Sequence, residues 1–492
     1  MIIKSEQNEI QDYLKDASNT KGFCDAVVYP ENTNDIINVL QEANKKKTKV
    51  TICGNRTGLT GASVPIGGIV LSTERMNKIL EINTTKKFAI VEPGVLLSDF
   101  LKEIKPKNLY YPPDPTELNC FIGGTVATNA SGSKTFKYGP TRDFILGMEL
   151  VLPMGEILKL ERGENFAQKN KLVLKTSSGK IYELNLAEMR SIQTKNAAGY
   201  FCKENMDAID LFIGSEGTLG IITKIKLRLL PQPEDTISCV LFFNDETVAL
   251  NFLEEARETS YQNRKSKTDI YIDALALEFF DERALKFLAK DFSAIPANAK
   301  AAVWFEQECS KGSFDSILEA WNTLMKTHKV NEERTWFAFN EIDKEKIKDF
   351  RHAISWKVNE YVTRNNFRKL GTDVAVPDKA FREFYFTLQS WAKLSEIDFV
   401  TYGHFGNSHI HLNFLPKNHA EFKESKILYN KICEEAIRLG GTISAEHGVG
   451  KNKTALLQEM YGKKAIEEMF TIKKTLDPNL ILGFGNIFAA KH

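Results

Sequence analysis

The chain has 492 residues, of which 42% are hydrophobic and 26% charged, a composition typical of globular enzymes with roughly two to four domains. Its net charge of +1 excludes a strong overall field that would attract nucleic acid. The 7 cysteines are scattered and none forms a CxxC pair, which excludes an iron–sulfur site within the chain and indicates a reducing compartment.

The first half of the chain alternates helical and strand-like stretches. Residues 32–47 place apolar side chains at helical spacing and precede the strand-like KVTICG (49–54). Further β-like runs follow, with one helix near LLSDFLKEI (96–104). After residue 231, strands such as SCVLFF (238–243) alternate with amphipathic helices such as FDSILEAWNTLMKT (314–327). This pattern predicts an α+β fold.

A change of pattern marks the first predicted domain boundary, at the PQPED break. We expect one domain over residues 1–231 and a second α+β domain over residues 232–425. The remaining segment, 426–492, is predicted to be helical apart from SAEHGVG (444–450).

Two glycine-rich stretches lie in the first domain. The first, residues 52–68, contains Gly54, Gly58 and Gly61, and a second predicted loop, FIGGTVATNASG (121–132), follows a proline-rich segment. Small residues let backbone N–H groups approach a phosphate, so both stretches are candidate anion-binding loops. Neither matches GxGxxG or GxxxxGK[ST], which disfavours the Rossmann and Walker modules, and ordinary tight turns are the alternative.

Histidine is confined to the last third of the chain. None occurs in the first 327 residues, and five of the eight lie between His404 and His447. His409 and His411 would share one face of a strand, whereas His404 joins them only if the Gly–Asn–Ser stretch between breaks the pleat. Two histidines with Glu446 are a usual ligand set for Zn²⁺ or Mn²⁺, and His447 would remain free as a base. Hydrogen-bonded histidines without a metal are the alternative.

These motifs resemble those of the FAD-linked 2-hydroxyacid dehydrogenases of the vanillyl-alcohol-oxidase type. GNRTGLTGAS (54–63) resembles the pyrophosphate loop of that family, and CFIGGTVATNASG (120–132) resembles its second flavin-contacting stretch. KNAAGY (195–200) and LFIGSEGTLGIIT (211–223) resemble the closing part of its FAD domain. The resemblance implies a two-subdomain, PCMH-type FAD-binding domain over residues 1–231.

The resemblance continues through the C-terminal half. YGHFGNSHIHLN (402–413) is similar to the metal segment of the family, and AEHGVG (445–450) to its segment with the metal-binding glutamate and the catalytic histidine. It therefore implies that residues 232–425 form a substrate or cap domain and that residues 426–492 return to the flavin.

Carried over residue by residue, the resemblance implies a role for each matching position. His404, His411 and Glu446 correspond to the metal ligands, and His447 to the active-site base. Arg351 corresponds to the anchor of the substrate carboxylate, and the further implied substrate contacts are Ser355, Lys369 and Asn413. The implied flavin contacts are Gly54, Asn55, Arg56, Thr57, Gly58, Leu59, Thr60, Pro113, Gly123, Gly124, Thr128, Asn129, Ser131, Gly132, Tyr138, Glu216, Gly217, Ile221 and Asn486.

The resemblance also implies how the flavin is held. The N-terminal domain contains no histidine, so a histidyl-linked flavin there is excluded. Cys120 lies where relatives with dissociable FAD also have cysteine. We therefore expect FAD to be bound non-covalently.

The sequence departs from the family pattern at three places. The family's GDGN is replaced by residues 406–409, which read GNSH. This change removes an acid near the metal and adds the imidazole of His409. It leaves the identity of the metal open between Zn²⁺ and Mn²⁺. Gly371 stands where relatives specific for D-2-hydroxyglutarate have lysine, and Lys369 would face the same side of an extended strand. Near the carboxyl terminus, NPGK is replaced by residues 483–486.

The resemblance implies oxidation of a small, D-lactate-like D-2-hydroxy acid to the 2-oxo acid, with hydride transfer to flavin N5. The electrons would pass to a quinone, a cytochrome or an electron-transfer flavoprotein. One alternative is a flavin-binding subunit of a complex like the multi-subunit glycolate oxidases. Another is an oxidase that uses oxygen on a different alcohol.

The sequence also bears on the location of the protein in the cell and on its partners. The amino terminus has no apolar signal region, and no later stretch approaches the ~20 apolar residues of a spanning helix. We expect a cytoplasmic protein and no nucleic-acid partner. Peripheral contact with the inner membrane and a homodimer are both left open.

Overall fold

Three sheets organise the chain in a computed structural model that describes residues 1–266 and 271–490. These sheets have four, five and seven strands, and two short two-stranded ribbons accompany them among the described residues. Helices pack against each of the three sheets. The predicted α+β fold is therefore confirmed.

The first sheet leads into the first glycine-rich stretch. Its strand order is β1-β2-β4-β3, and the pairs β2–β4 and β3–β4 are parallel. The predicted helix over residues 32–47 is confirmed: its side chains Ile36, Leu40 and Ala43 pack against this sheet, and Asn32 caps its first turn. The elements are β1 (Ile2–Lys4), α1 (Gln7–Ile10), β2 (Ala26–Tyr29), α2 (Thr33–Lys46), β3 (Val50–Cys53) and β4 (Ile69–Ser72).

The second sheet is antiparallel and completes the N-terminal half. Its order is β5-β6-β12-β8-β9, and the ribbons are β10-β11 and β13-β7. The elements are β5 (Ile79–Asn83), β6 (Phe88–Val91), α3 (Leu97–Ile104), β7 (Leu109–Tyr110), α4 (Ile122–Thr128), α5 (Thr135–Tyr138), β8 (Ile145–Val151), β9 (Ile157–Glu161), β10 (Lys171–Lys175), β11 (Ile181–Asn185), α6 (Ile209–Phe212), β12 (Ile221–Arg228) and β13 (Leu230–Pro231).

The second glycine-rich stretch was predicted as a loop, and this prediction was wrong. Residues 122–128 form helix α4, which ends at Asn129 in the left-handed conformation with φ +48°. Gly123 is required by close packing, because a Cβ there would lie 2.5 Å from Cβ of Pro93. The adjacent glycines of α4, Gly123 and Gly124, therefore reflect packing on a neighbouring segment as well as access to a ligand.

The third sheet is entirely antiparallel and has two buried faces. Its order is β17-β14-β16-β15-β19-β20-β18. Alternate side chains of β16 enter different clusters: Val303 and Phe305 join the larger hydrophobic cluster, whereas Ala302 and Trp304 join a second one. The elements are β14 (Asp235–Phe243), α7 (Glu246–Ser266), β15 (Ala276–Asp281), α8 (Glu282–Leu288), β16 (Ala301–Cys309), α9 (Phe314–Thr327), β17 (Trp336–Phe337), α10 (Glu341–Arg364), β18 (Val374–Ala375), α11 (Asp378–Leu394), β19 (Phe399–Gly403) and β20 (His409–Phe414).

The C-terminal segment contains α12 (His419–Arg438) and α13 (Thr454–Leu476) and then returns to the first sheet. The N–H of Val50 donates to Ile481 O at 2.7 Å, and Lys473 Nζ donates to Thr218 O at 2.7 Å. The division of the chain at residues 231 and 425 stays our proposal, and residue 425 lies inside α12, so the boundary there would fall within a helix. None of the described helices is long and apolar enough to cross a bilayer.

Candidate active site

A cavity of about 490 Å³ lies where the three parts of the chain meet. Gly54 and Gly124 line it from the N-terminal half, Arg351 from the third sheet's helix α10, and His447 from the C-terminal segment. Its size is within the range of cofactor and small-molecule sites in proteins. The cavity therefore brings the histidine cluster together with the glycine-rich stretches.

Most of the predicted flavin contacts border this cavity. A Cβ at Gly54 would have the ring of Phe121, 3.7 Å away, as its nearest neighbour, and one at Gly124 would meet nothing within 4 Å. The N–H groups of residues 55–60 donate no hydrogen bond to another described residue, so they are available to an anion. The residues present therefore fit a dinucleotide cofactor. The predicted contacts at the cavity are Gly54, Asn55, Arg56, Thr57, Gly58, Leu59, Gly123, Gly124, Thr128, Ser131, Glu216, Gly217 and Ile221.

The other predicted flavin contacts do not line the cavity, and several of them bond to neighbouring segments. The hydroxyl of Tyr138 donates to Glu308 in β16, away from the cavity. Asn129 Oδ1 accepts a hydrogen bond from the N–H of Arg142 at 3.0 Å. Asn486 Nδ2 donates to the carbonyls of Ala62 and Glu216, at 2.9 and 3.1 Å. The predicted contacts that do not line the cavity are Thr60, Pro113, Asn129, Gly132, Tyr138 and Asn486.

Glu216 lines the cavity, but its carboxylate binds the C-terminal loop. Its two oxygens accept hydrogen bonds from the N–H groups of Val449 and Gly450, each at 2.7 Å. Burial raises the pKa of this carboxyl to about 7. The turn that contains Glu216 is therefore fastened to the loop that contains His447.

The break in the pleat required to bring His404 to His411 is present. β19 ends at Gly403, a short turn follows, and Ser408 adopts a left-handed conformation with φ +51° before β20 begins. As a result, His404 Nε2 and His411 Nε2 each lie 3.3 Å from Glu446 Oε1. The structure thus places the three predicted metal ligands together.

Each imidazole near Glu446 is oriented by a hydrogen bond from its other nitrogen. His404 Nδ1 donates to Glu278 Oε1 at 2.6 Å, and His411 Nδ1 donates to Thr372 O at 3.0 Å. This is the arrangement that commonly fixes metal-binding histidines in proteins. Two ligand atoms on one tetrahedral Zn²⁺ stand roughly 3.4 Å apart, so the observed 3.3 Å separations fit a metal ion.

Lys195 contacts the second oxygen of Glu446. Its Nζ donates to Glu446 Oε2 at 2.7 Å, and Ser131 Oγ donates to the same oxygen at 3.2 Å. Although burial acts in the opposite direction, Lys195 and His404 hold the pKa of Glu446 well below its ordinary value. His409 Nδ1 lies 3.4 Å from Lys195 Nζ, so the additional imidazole of this chain also lies at the cluster.

Asp373 holds the loop that contains Glu446 and His447. Its carboxylate accepts hydrogen bonds from the backbone N–H groups of these two residues, at 3.2 and 2.9 Å, and from Lys453 Nζ at 3.0 Å. His447 Nδ1 lies 3.5 Å from Asp373 Oδ2, and its Nε2 lies 3.5 Å from Glu446 Oε1. Burial lowers the pKa of His447 to about 4, so its imidazole is neutral near pH 7.

The predicted substrate contacts Arg351, Ser355, Lys369 and Asn413 all line the cavity. Arg351 Nη1 donates to Thr116 Oγ1 at 2.6 Å. Lys369 makes no hydrogen bond or ion pair with a described residue, and burial lowers its pKa to about 8. Both amide atoms of Asn413 are buried without a partner among the described residues. Unpaired buried polar groups of this kind favour a ligand that satisfies them.

Sequence reasoning missed several residues that position the site. Lys195 lies within the KNAAGY motif and Asp373 within TDVAVP, but neither was assigned a role. Glu278 had a clear signal, since it is one acid inside the apolar run ALALEFF (274–280) and is only 3% exposed. A carboxylate in a buried strand needs a cationic partner, which an apolar run alone does not identify.

Comparison with known families agrees with this geometry. A profile for the FAD binding domain matches residues 24–161, and a profile for the C-terminal domain of FAD linked oxidases matches residues 233–487. Among solved structures, alkyldihydroxyacetonephosphate synthase shares the fold, with a TM-score of 0.62 at 16% identity over 98% of this chain and 82% of that one.

Three named relatives are similar over nearly their whole length. The glycolate oxidase subunit GlcD of Bacillus subtilis is 30% identical and aligns over 94% of this chain and 89% of its own. D-lactate dehydrogenase of Anaerostipes hadrus is 29% identical, over 99% and 94%. D-2-hydroxyglutarate dehydrogenase of Stutzerimonas stutzeri is 30% identical, over 99% and 96%.

The fold, the cavity and the matched domains define a flavin-dependent oxidoreductase. The chain belongs to the family of FAD-linked oxidases, as its resemblance to them had implied.

Gly124 offers a direct test of the flavin position. Gly124→Val puts two methyl groups into open cavity space, so we expect the flavin content of the purified protein to fall about tenfold without unfolding. The ratio of flavin to protein absorbance measures this change. Gly312→Val is a matched control, because its nearest neighbour is Ser310 Oγ at 4.0 Å and it lies outside the cavity. Unchanged flavin content in Gly124→Val would place the cofactor elsewhere.

Proposed function

We propose that the protein oxidises a D-2-hydroxy acid to the 2-oxo acid with non-covalently bound FAD. The observation that supports this most strongly is the convergence of Arg351, Glu446 and His447 on one cavity with the glycine-rich stretches. Relatives named D-lactate dehydrogenase and D-2-hydroxyglutarate dehydrogenase support the same reaction class. Cys120 also lines the cavity, and burial raises the pKa of its thiol to about 12, which keeps it in the unreactive protonated form.

Arg351 is the proposed anchor for the substrate carboxylate. Its guanidinium is held by two other residues that line the cavity, with Nη1 on Thr116 and Nε on Glu278. A guanidinium fixed in this way binds a carboxylate in one orientation. Ser355, one helical turn after Arg351, and the unpaired amide of Asn413 are proposed to complete the polar contacts to substrate.

His447 is the proposed base for the substrate hydroxyl. Its Nε2 faces Glu446 within the cavity, and Asp373 holds both its backbone and its Nδ1 side. When bound, FAD supplies the hydride acceptor at its N5 atom, and a divalent metal ion supplies positive charge that acidifies the hydroxyl. His447 Nε2 then receives the hydroxyl proton while Arg351 keeps the α-carbon in place.

His404, His411 and Glu446 are the proposed ligands of a divalent metal, either Zn²⁺ or Mn²⁺. Imidazole ligands favour Zn²⁺, whereas Mn²⁺ prefers oxygen-rich sets. His409 increases the number of imidazoles at this cluster, and its Nε2 is anchored on Asp373 Oδ1 at 3.0 Å. The nitrogen-rich set supports Zn²⁺ over Mn²⁺.

The electron acceptor is proposed to be a quinone or a protein such as a cytochrome or an electron-transfer flavoprotein. One relative, from Arabidopsis thaliana, is named D-lactate dehydrogenase [cytochrome] and is 26% identical over 94% of this chain. We propose a cytoplasmic location, and a quinone acceptor would require peripheral contact with a membrane.

An anaerobic absorbance titration tests the proposed reaction. The purified flavoprotein is mixed with D- and L-2-hydroxy acids, glycolate and simple alcohols in the absence of oxygen. We expect one or more D-2-hydroxy acids to bleach the flavin band, with the L-enantiomers inactive at the same concentration. A flavin that no D-2-hydroxy acid reduces would refute the proposed function.

His447 and Arg351 should differ in their kinetic effects. We expect His447→Ala to lower kcat about 10²- to 10⁴-fold with little change in KM, because it removes the base and leaves the anchor. Arg351→Ala should raise KM strongly and also lower kcat, because the carboxylate loses its fixed orientation. His419→Ala, an exposed histidine of α12, is the control for both. Wild-type kinetics in either variant would remove that residue from the proposal.

The unpaired Lys369 favours a second candidate, a D-2-hydroxy acid with a second carboxylate. Gly371 leaves room for this arrangement, since a Cβ there would lie 2.2 Å from Asn413 Oδ1 and 3.3 Å from Lys369 Cε. Relatives specific for D-2-hydroxyglutarate have a lysine at the position of Gly371. In this chain the end of the Lys369 side chain lies next to that position and beside Asn413. D-2-hydroxyglutarate is one substrate with the required second charge.

Substrate preference in Lys369→Met separates the two candidates. If Lys369 binds a second carboxylate, KM for D-2-hydroxyglutarate should rise about tenfold or more, with KM for D-lactate little changed. Steady-state kinetics with both acids and an artificial dye acceptor measure this. Lys379→Met, which removes an exposed lysine at the start of α11, should change neither value. Equal effects on both acids would favour the D-lactate-like substrate.

A further inference from the structure

Glu278 contacts both His404, a proposed metal ligand, and Arg351, the proposed anchor of the substrate carboxylate. Its Oε1 accepts a hydrogen bond from His404 Nδ1 at 2.6 Å. Its Oε2 accepts from Arg351 Nε at 3.3 Å and lies 3.2 Å from Arg351 Nη2. One carboxylate therefore lies between the proposed metal ligand and the proposed substrate anchor, and it also lines the cavity.

The backbone that holds Glu278 is rigid. Every residue of β15 is buried, and the strand lies in the middle of the sheet between β16 and β19. Phe279 is paired with Gly403, so the residue after Glu278 lies opposite the residue before His404. The distance between Glu278 and His404 is thus set by a strand pairing and not by a loop.

Both partners of Glu278 are fixed at their far ends as well. Arg351 Nη1 donates to Thr116 Oγ1 at 2.6 Å, and His404 Nε2 lies 3.3 Å from Glu446 Oε1. An ionised carboxylate only accepts hydrogen bonds, so it keeps the His404 proton on Nδ1 and leaves Nε2 directed at Glu446. The same carboxylate orients the guanidinium through its contacts with Nε and Nη2.

We propose that Glu278 is a positioning residue that sets the spacing between the carboxylate anchor and the metal ligand, and so selects acids with the hydroxyl on the carbon next to the carboxylate. This inference rests on the proposed function. Arg351 defines where the carboxylate binds, and His404 helps define where the hydroxyl oxygen is held. A carboxylate that fixes both groups fixes the separation that a substrate must match.

Glu278→Gln tests the bridge with almost unchanged shape. A carboxamide can accept a hydrogen bond from one partner, but its NH₂ group then faces an N–H donor of the other partner. At least one of the two contacts therefore becomes unfavourable, and a single side chain no longer holds both Arg351 and His404 in place. Glu306→Gln is the matched control on the neighbouring strand β16, because Glu306 is outside the cavity and its carboxylate faces Lys134 at 3.8 Å.

Two measurements report separately on the two ends of the bridge. Competition with a chelator gives the Zn²⁺ affinity, which depends on His404. Perturbation of the flavin spectrum by propionate, a monocarboxylate without a hydroxyl, gives the affinity of the Arg351 end. For Glu278→Gln we expect Zn²⁺ binding about 10- to 100-fold weaker and propionate binding about tenfold weaker, with normal flavin content. An effect at only one end, or equal effects in Glu306→Gln, would overturn the proposal.

Glu278→Asp keeps the charge and shortens the side chain by one methylene, which provides a second test if Glu278→Gln does not fold. We expect the ratio of kcat/KM for D-2-hydroxybutyrate to kcat/KM for D-3-hydroxybutyrate to fall about tenfold, since the two ends no longer keep their separation. An unchanged ratio would refute the role in selection. A wild-type protein that oxidises no 2-hydroxy acid would refute the proposed function instead, while the Zn²⁺ and propionate measurements still decide the role of Glu278.

Discussion

The active site depends on the attachment of one C-terminal loop, residues 444–450, to the body of the protein. Two buried carboxylates provide it. Asp373 accepts hydrogen bonds from the N–H groups of Glu446 and His447, and Glu216 accepts those of Val449 and Gly450. Backbone amides held by buried carboxylates cannot exchange these bonds for water, so the loop is fixed between the N-terminal half and the third sheet.

The same region balances several buried charges. Glu446 is paired with Lys195, Asp373 with Lys453, and Glu278 with Arg351. Removing one member of such a pair leaves an uncompensated buried charge, which is strongly destabilising. Each of these pairs contains or contacts a proposed catalytic, metal-binding or substrate-binding group.

The local pattern of side chains in the sequence was sufficient to predict helices and strands and part of the site. Helix α2 and strand β3 followed from their apolar side chains: α2 buries one face against the first sheet, and three of the four residues of β3 are buried. The glycine-rich stretch over residues 121–132 was misread, since glycine serves close packing as well as turns, and Gly123 packs against Pro93. Tyr138, another predicted flavin contact, does not line the cavity, and its hydroxyl bonds to Glu308 in the third sheet, a partner that the local sequence does not identify.

The sequence by itself determined the α+β class, the family and the candidate residues for the chemistry. Only the tertiary structure decided how they are arranged. Glu278 lies 126 residues before His404 along the chain, and Lys195 lies 251 residues before Glu446. These pairs form where separate layers pack together. The side chains around a charged residue in the sequence do not indicate which distant charged residue will contact it in the fold.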